Sequence, residues 1–194
     1  MQGIVDLAEQ NGGMVTSAQV AAAGIPRARI SDMVKAGELE RVQRGVYCLA
    51  TAWEDEFLAA QLRFPKGIFS DDTALYLHGY TDRTPFQLAM TFPRSYRATK
   101  AREADIRVRT CADDVLDLGL TVVKTAYGND VEAYDLERTL CDAVRGRRLV
   151  DIQVVNPAMR RYVRSSGRNI QKLLGYARKL GVEKKIRSYL EVLL

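Results

Sequence analysis

The chain has 194 residues, a length for one or two domains, and its 47% apolar content with a mean hydropathy of −0.19 is that of a soluble globular protein rather than a disordered one. No apolar run approaches the roughly 18–20 residues of a membrane-spanning helix, and Met1-Gln2-Gly3-Ile4-Val5-Asp6 lacks the basic flank and apolar stretch of a signal peptide, so a cytoplasmic protein is expected. The net charge of +5 divides unevenly: residues 1–50 hold 5 basic and 5 acidic side chains, residues 51–140 hold 11 and 15, and residues 141–194 hold 13 and 4, which concentrates the cationic field in the last quarter. Cys48, Cys111 and Cys141 include no Cys-x-x-Cys, so neither a disulfide framework nor a thiolate zinc site is indicated. The one histidine, His78, excludes His-pair metal signatures and weakens schemes that need a His base.

The first 50 residues change period midway. Ile4, Leu7 and Ala8 at i, i+3, i+4 mark a first amphipathic helix over Gly3 to Gln10, which Asn11-Gly12-Gly13 stops. Thr16 with Gln19 three residues on has capping-box spacing and opens a second helix from Ser17 to Ala23, ended by Gly24. Pro26 suits the first turn of a third helix, whose inward stripe is Ile30, Met33 and Val34 before Gly37 ends it. Leu39-Glu40-Arg41-Val42 and Val46-Tyr47-Cys48-Leu49 are then β-prone runs joined by the turn Gln43-Arg44-Gly45.

Three short helices and a hairpin are the winged helix-turn-helix plan, in which the third helix reads a groove. On that helix Arg27, Ala28, Ser31, Asp32 and Lys35 gather opposite the apolar stripe. Arg27 and Arg29 near its N-terminus suit guanine edges or phosphates, and Arg41 and Arg44 lie on the wing, Arg44 at its tip, where an arginine enters a narrow minor groove. Thr16, Ser17 and Gln19 at the start of the second helix suit phosphate oxygens. Winged-helix units also serve as protein–protein modules, a reading that the zero net charge of this segment keeps open.

The middle region reads as a sheet with helices. Phe64-Pro65-Lys66-Gly67 is a turn, and Ser70 caps a helix carrying Ala74, Leu75 and Leu77. Strands follow at Phe86 to Phe92, Ile106 to Arg109, Leu120 to Thr125 and Val131 to Tyr134. An antiparallel order is expected among them, because most of the gaps are too short for a crossover helix. Asp135 caps a helix from Leu136 to Arg145. From Arg147 onward the signals are helical: Asn156-Pro157 leads into Ala158 to Ser165, Ile170 to Ala177 mark a helix ending near Gly181, and Ile186, Tyr189, Leu190 and Leu193 mark a last one. Arg160, Arg161, Arg164, Arg168 and Lys172 lie mostly off these stripes and are expected to form a cationic surface for duplex DNA. The expected fold class is therefore α+β, an N-terminal winged helix-turn-helix over 1–50 followed by a mixed or antiparallel sheet domain with a helical C-terminus over 51–194, the sheet part spanning about 58–148 and the basic helical part about 149–194.

No phosphate loop, nucleophile elbow or dinucleotide fingerprint is present, and no catalytic residue, metal or cofactor is expected. The carboxylates Asp71-Asp72, Asp113-Asp114 and Glu132, Asp135, Glu137 and Asp142 are better read as helix-start residues than as a magnesium site. Glu183-Lys184-Lys185 has the spacing of one nuclease class but opens a helix rather than lying on a strand. In Glu137-Arg138-Thr139-Leu140-Cys141-Asp142 the spacing points to an Arg138 buried by carboxylates.

Gly13-Met14-Val15-Thr16 through Ala23-Gly24-Ile25-Pro26, then Val34-Lys35-Ala36-Gly37-Glu38-Leu39-Glu40-Arg41-Val42-Gln43-Arg44-Gly45-Val46-Tyr47, resemble the N-terminal domain of AbiEi-family antitoxins. Ser70-Asp71-Asp72-Thr73-Ala74-Leu75 with His78-Gly79-Tyr80, the Glu-Arg-Thr-Leu-x-Asp element within Asp135 to Asp142, and Tyr176-Ala177-Arg178-Lys179-Leu180-Gly181 resemble that family's C-terminal domain. The resemblance implies the antitoxin of a type IV toxin–antitoxin, or abortive phage infection, pair: a repressor binding inverted repeats in its own promoter and countering a nucleotidyltransferase-like toxin, with direct contact to the toxin left open. The alternatives are a winged-helix regulator sensing a ligand through its middle domain, or a metal-dependent nuclease with carboxylates converging near a lysine such as Lys124.

Overall fold

The computed structural model describes residues 3–145 and 150–193, so the expected onset of helical signals at Arg147 lies outside the described residues. The fold is α+β, and its contacts divide it into two units, Met1–Pro65 with Lys124–Val131, and Lys66–Val123 with Glu132–Leu194.

The first unit follows the switch of period in the sequence. Helices α1 (Ile4–Glu9), α2 (Ser17–Ala22) and α3 (Ala28–Lys35) alternate with β1 (Met14–Thr16) and precede the pair β2 (Leu39–Gln43) and β3 (Val46–Leu49). The three strands lie in the order β1-β3-β2, all antiparallel. Gln43 pairs with Val46 across a bulge between Arg41 and Gln43, so the expected three-residue turn tightens to Arg44-Gly45, with Gly45 at φ +80°. The core is Ile4, Ala8, Val15, Val20, Ile30, Leu39 and Leu49. Of the inward stripe expected on α3, Ile30 and Met33 join the core, whereas Val34 is 36% exposed. A further helix, α4 (Glu56–Arg63), was not expected. It starts at Asp55, whose carboxylate accepts the Phe57 and Leu58 N–H groups at 3.1 and 3.2 Å and takes the Thr125 hydroxyl (2.6 Å) and Asn129 amide (2.8 Å) on its other oxygen. These bonds supply what a fully buried carboxylate requires.

In the second unit the elements are β4 (Ile68–Phe69), α5 (Asp71–Leu77), β5 (Ala89–Pro93), α6 (Thr99–Glu103), β6 (Arg107–Cys111), β7 (Leu120–Lys124), β8 (Asp130–Tyr134), α7 (Leu136–Arg145), α8 (Ile152–Arg164), α9 (Ile170–Lys179) and α10 (Glu183–Leu193); Lys124–Val131 of β7 and β8 count with the first unit. The sheet order is β6-β5-β4-β8-β7. The antiparallel expectation fails in part: β4 and β5 are antiparallel, whereas β5 pairs β6 and β4 pairs β8 in parallel. The gap after β5 houses the short helix α6, enough for a crossover. The core joins α5 to α7–α10 through Leu75, Leu140, Met159, Leu173, Ile186 and Leu190, all buried.

Two local expectations are corrected here. Helix α8 begins at Ile152, capped by Asp151 through the Gln153 N–H at 2.9 Å, and not at Ala158, so Pro157 lies inside it. The helix runs through a residue that removes one backbone donor because Val154 and Val155 before it and Ala158 and Met159 after it are all buried. Strand β5 starts at Ala89 rather than Phe86, whose ring is fully exposed.

Candidate nucleic-acid interface

Residue by residue, the first unit uses part of the expected contact set for its own architecture. The Thr16 hydroxyl accepts the Gln19 N–H at 3.1 Å, while the Gln19 side chain accepts the Thr16 N–H at 2.8 Å and its hydroxyl at 2.9 Å. This is a closed capping box, and it engages both side chains; Thr16 is 9% exposed. Ser17 is half-buried, and its N–H donates to the Gly45 carbonyl at 2.9 Å. The start of α2 is thus fixed against the turn that carries Arg44.

Between α2 and α3 the chain reverses at Gly24, φ +74°, with the Ile25 N–H returning to the Val20 carbonyl at 3.1 Å. Only a residue free of a Cβ penalty adopts that conformation readily. Helix α3 then buries Ile30 and exposes Arg29, Ser31, Asp32 and Lys35, with Arg27 exposed just before its first residue. Pro26, expected in the first turn, lies two residues before the helix, its carbonyl accepting the Arg29 N–H at 3.0 Å. On the hairpin, Arg41 and Arg44 are exposed. A further cation, unrecognised in the sequence, stands beside them: Arg63 of α4 donates to the Gln43 side chain at 3.1 Å. Burial and then the Arg44 guanidinium lower the pKa of Arg63. Its signal in the sequence was Asp55 followed by Phe57, Leu58 and Leu62, a cap and an apolar helical stripe.

The cations of the second unit divide by what they touch. Arg160 and Arg164 are exposed on α8 and bond to nothing among the described residues. Arg161 donates to the Gly79 carbonyl and lies 5.2 Å from the Tyr80 ring centroid, and Arg168 donates to the Ser165 carbonyl at 3.1 Å. Lys172 is held by Asp135 at 2.9 Å and Glu137 at 3.3 Å. Its partial burial opposes the charge, but these carboxylates prevail and push its pKa up to about 12. Lys172 therefore brings less free charge to an anion than its exposure suggests.

Beneath α5 and α7 lies a buried ionic cluster. Arg138 is fully buried; its Nε donates to Asp142 at 2.8 Å, and one terminal nitrogen donates to the Val115 and Leu118 carbonyls at 2.7 and 2.9 Å. Burial works against the guanidinium, yet Asp142 holds its pKa above the ordinary value. Arg109 on β6 reaches Asp71 at 2.8 Å and Asp142 at 3.3 Å, and Arg107 pairs with Asp72. The expected burial of Arg138 by a carboxylate holds for Asp142. Glu137 instead accepts the Tyr162 hydroxyl at 2.8 Å. His78 donates from Nε2 to the Tyr134 carbonyl at 2.8 Å, a packing role. No group of three or more His, Cys, Asp or Glu side chains is gathered to hold a metal among the described residues. Lys124 is bonded instead to Asp130 and the Gly128 carbonyl. No helix among them is long and apolar enough to cross a membrane.

Helices α1–α3 are thus followed by a hairpin with exposed cations. Residues 3–50 match the family model described as transcriptional regulator, AbiEi antitoxin, which supports a regulator role. Among solved structures the chain is similar to the crystal structure of the RV2827C protein from Mycobacterium tuberculosis: 16% identity, a TM-score of 0.59, and coverage of 95% of this chain and 78% of that one. At that identity the likeness is one of fold alone. No curated protein matches the chain.

Proposed function

We propose that the protein is the antitoxin and transcriptional autorepressor of a type IV toxin–antitoxin operon, a non-enzymatic, cytoplasmic phage-defence protein. On this reading residues 1–50 are a winged helix-turn-helix and residues 51–194 the antitoxin domain. The protein binds inverted repeats in its own promoter and counters a nucleotidyltransferase-like toxin. The observation that carries the reading is the family match over residues 3–50, a segment in which Arg27, Arg29, Ser31 and Lys35 are exposed about α3 and Arg41 and Arg44 on the hairpin. In this arrangement α3 lies in the major groove and Arg44 enters the adjacent minor groove. Ser17 and the start of α2 meet phosphate, while Thr16 and Gln19 hold the helix end in shape. Arg160, Arg161, Arg164, Arg168 and Lys172 add phosphate contacts to flanking duplex, with Lys172 contributing least.

The test is a gel-shift titration on the DNA directly upstream of the gene, at two salt concentrations, with an unrelated duplex as competitor. Preferential binding that is lost in an Arg27→Glu, Arg44→Glu double variant is the expected result. Equal affinity for both duplexes removes the autorepressor reading, and an unchanged affinity in the double variant removes Arg27 and Arg44 from the contacts.

A further inference from the structure

The second unit contains a cavity of about 930 Å³ walled by the end of α7, α8 from Ile152 to Arg160, and α10. Small-molecule sites are concave, mostly apolar and roughly 300–1,000 Å³ in volume, with a few polar groups to fix orientation. One face of each of two helices lines it. On α8 the lining residues Ile152, Val155, Asn156 and Arg160 recur at i, i+3, i+4 and i+8, and on α10 Lys185, Ser188, Tyr189 and Val192 recur at i, i+3, i+4 and i+7, each set a single helical stripe. The Tyr189 hydroxyl donates to the Asn156 side chain at 3.1 Å and ties the two faces together.

The lining is apolar in its depth and cationic in its unused polar capacity. Val144, Val150 and Val155 are buried, whereas Ile152 and Val192 at the rim are 62% and 83% exposed. The single lining carboxylate, Asp151, already accepts the Gln153 N–H at 2.9 Å and Arg83 at 3.3 Å. Lys185 gives one of its three donors to the Val144 carbonyl at 2.8 Å, and Arg160 has no bonded partner among the described residues. A ligand complementary to these walls has an apolar tail and an anionic head.

We infer that this cavity is a binding site for an amphipathic anion of the medium-chain carboxylate class, its tail against Val155, Ile152 and Val192 and its head between Arg160 and Lys185. The inference shares Arg160 with the proposed phosphate contacts but does not require DNA binding. It is tested by calorimetric titration of the full chain, without DNA, with dodecanoate and dodecyltrimethylammonium below their micelle thresholds and dodecanol below its solubility limit. One saturable site that prefers dodecanoate to both other probes is expected. An Arg160→Gln, Lys185→Gln variant with an unaltered melting curve then binds dodecanoate about tenfold more weakly, as loss of charge-assisted hydrogen bonds implies. An Ile152→Glu variant, altered only at the exposed rim, loses affinity as well. Absence of saturable dodecanoate binding to the unmodified chain overturns the assignment. So does an equal affinity for the alcohol or the ammonium probe.

Discussion

Asp71 holds an unusual set of constraints for one side chain. Its backbone lies at φ +54°, a region that non-glycine residues enter at a cost unless they are Asn or Asp. Its carboxyl is 1% exposed, and it shares Arg109 with the equally buried Asp142. Burial raises its pKa from 3.8 to about 6, against the pull of Arg109. The folded chain therefore binds this proton more tightly than the unfolded chain does. The contribution of the group to stability is complete below its unfolded pKa of 3.8 and is lost as pH rises through about 6. Asp71→Asn keeps the shape, tolerates the backbone and does not titrate. Its stability relative to the unmodified chain should rise with pH across that window, by at most about 1.4 kcal/mol per pH unit. Urea unfolding at intervals across the window measures the difference directly, and a difference that stays flat with pH would falsify the buried charge.

The elements of the N-terminal segment are specified locally, and the capping box shows how. Thr16 and Gln19 satisfy each other across the start of α2, so Thr16→Ala should lower the stability of the chain by about 1 kcal/mol, whereas Thr16→Ser should restore most of it; chemical denaturation of the three proteins decides the matter. Because these signals are short-range, the order of α1–α3 and of the hairpin was legible in the sequence, as were the limits of α7 and the fate of Arg138. What was not legible depends on partners distant in the chain. The cap and apolar stripe of α4 are local, in Asp55, Phe57, Leu58 and Leu62; what only the fold supplies is the bonding of Thr125 and Asn129 to the other carboxylate oxygen of Asp55 and the placing of Arg63 beside Gln43. Pro157 reads as a helix start unless the burial of Val154 and Val155 before it is known. The two-residue strand β4 shows no alternation, yet it sits centrally and pairs antiparallel to β5 and parallel to β8. At the candidate interface, the exposure of Arg27, Arg29, Lys35 and Arg44 followed from helical periodicity and turn position. That Lys172 is neutralised by Asp135 and Glu137 did not, since 35 residues or more separate the partners.

For the molecule as a whole, charge placement rather than net charge sets how it meets a polyanion. The first 50 residues are balanced at 5 basic and 5 acidic side chains, while residues 141–194 carry 13 and 4. On the proposed function, sequence recognition and long-range attraction then reside in different segments. Deleting the C-terminal part is a poor test of that division, because α8–α10 share one buried core with Leu75 and Leu140, and their loss would expose it. Point neutralisation leaves the core alone. Arg164 and Arg168 are exposed; Arg164 bonds to nothing among the described residues, and Arg168 holds only the Ser165 carbonyl three residues before it. If both meet phosphate, Arg164→Gln with Arg168→Gln should flatten the log–log dependence of operator affinity on salt by about 0.9 for each phosphate no longer neutralised, close to two in all. The affinity should fall on the operator and on an unrelated duplex by the same factor, since phosphate contacts bear no sequence information. A slope left unchanged would remove the rear helices from the interface. A loss confined to the operator would instead make these arginines readers of sequence.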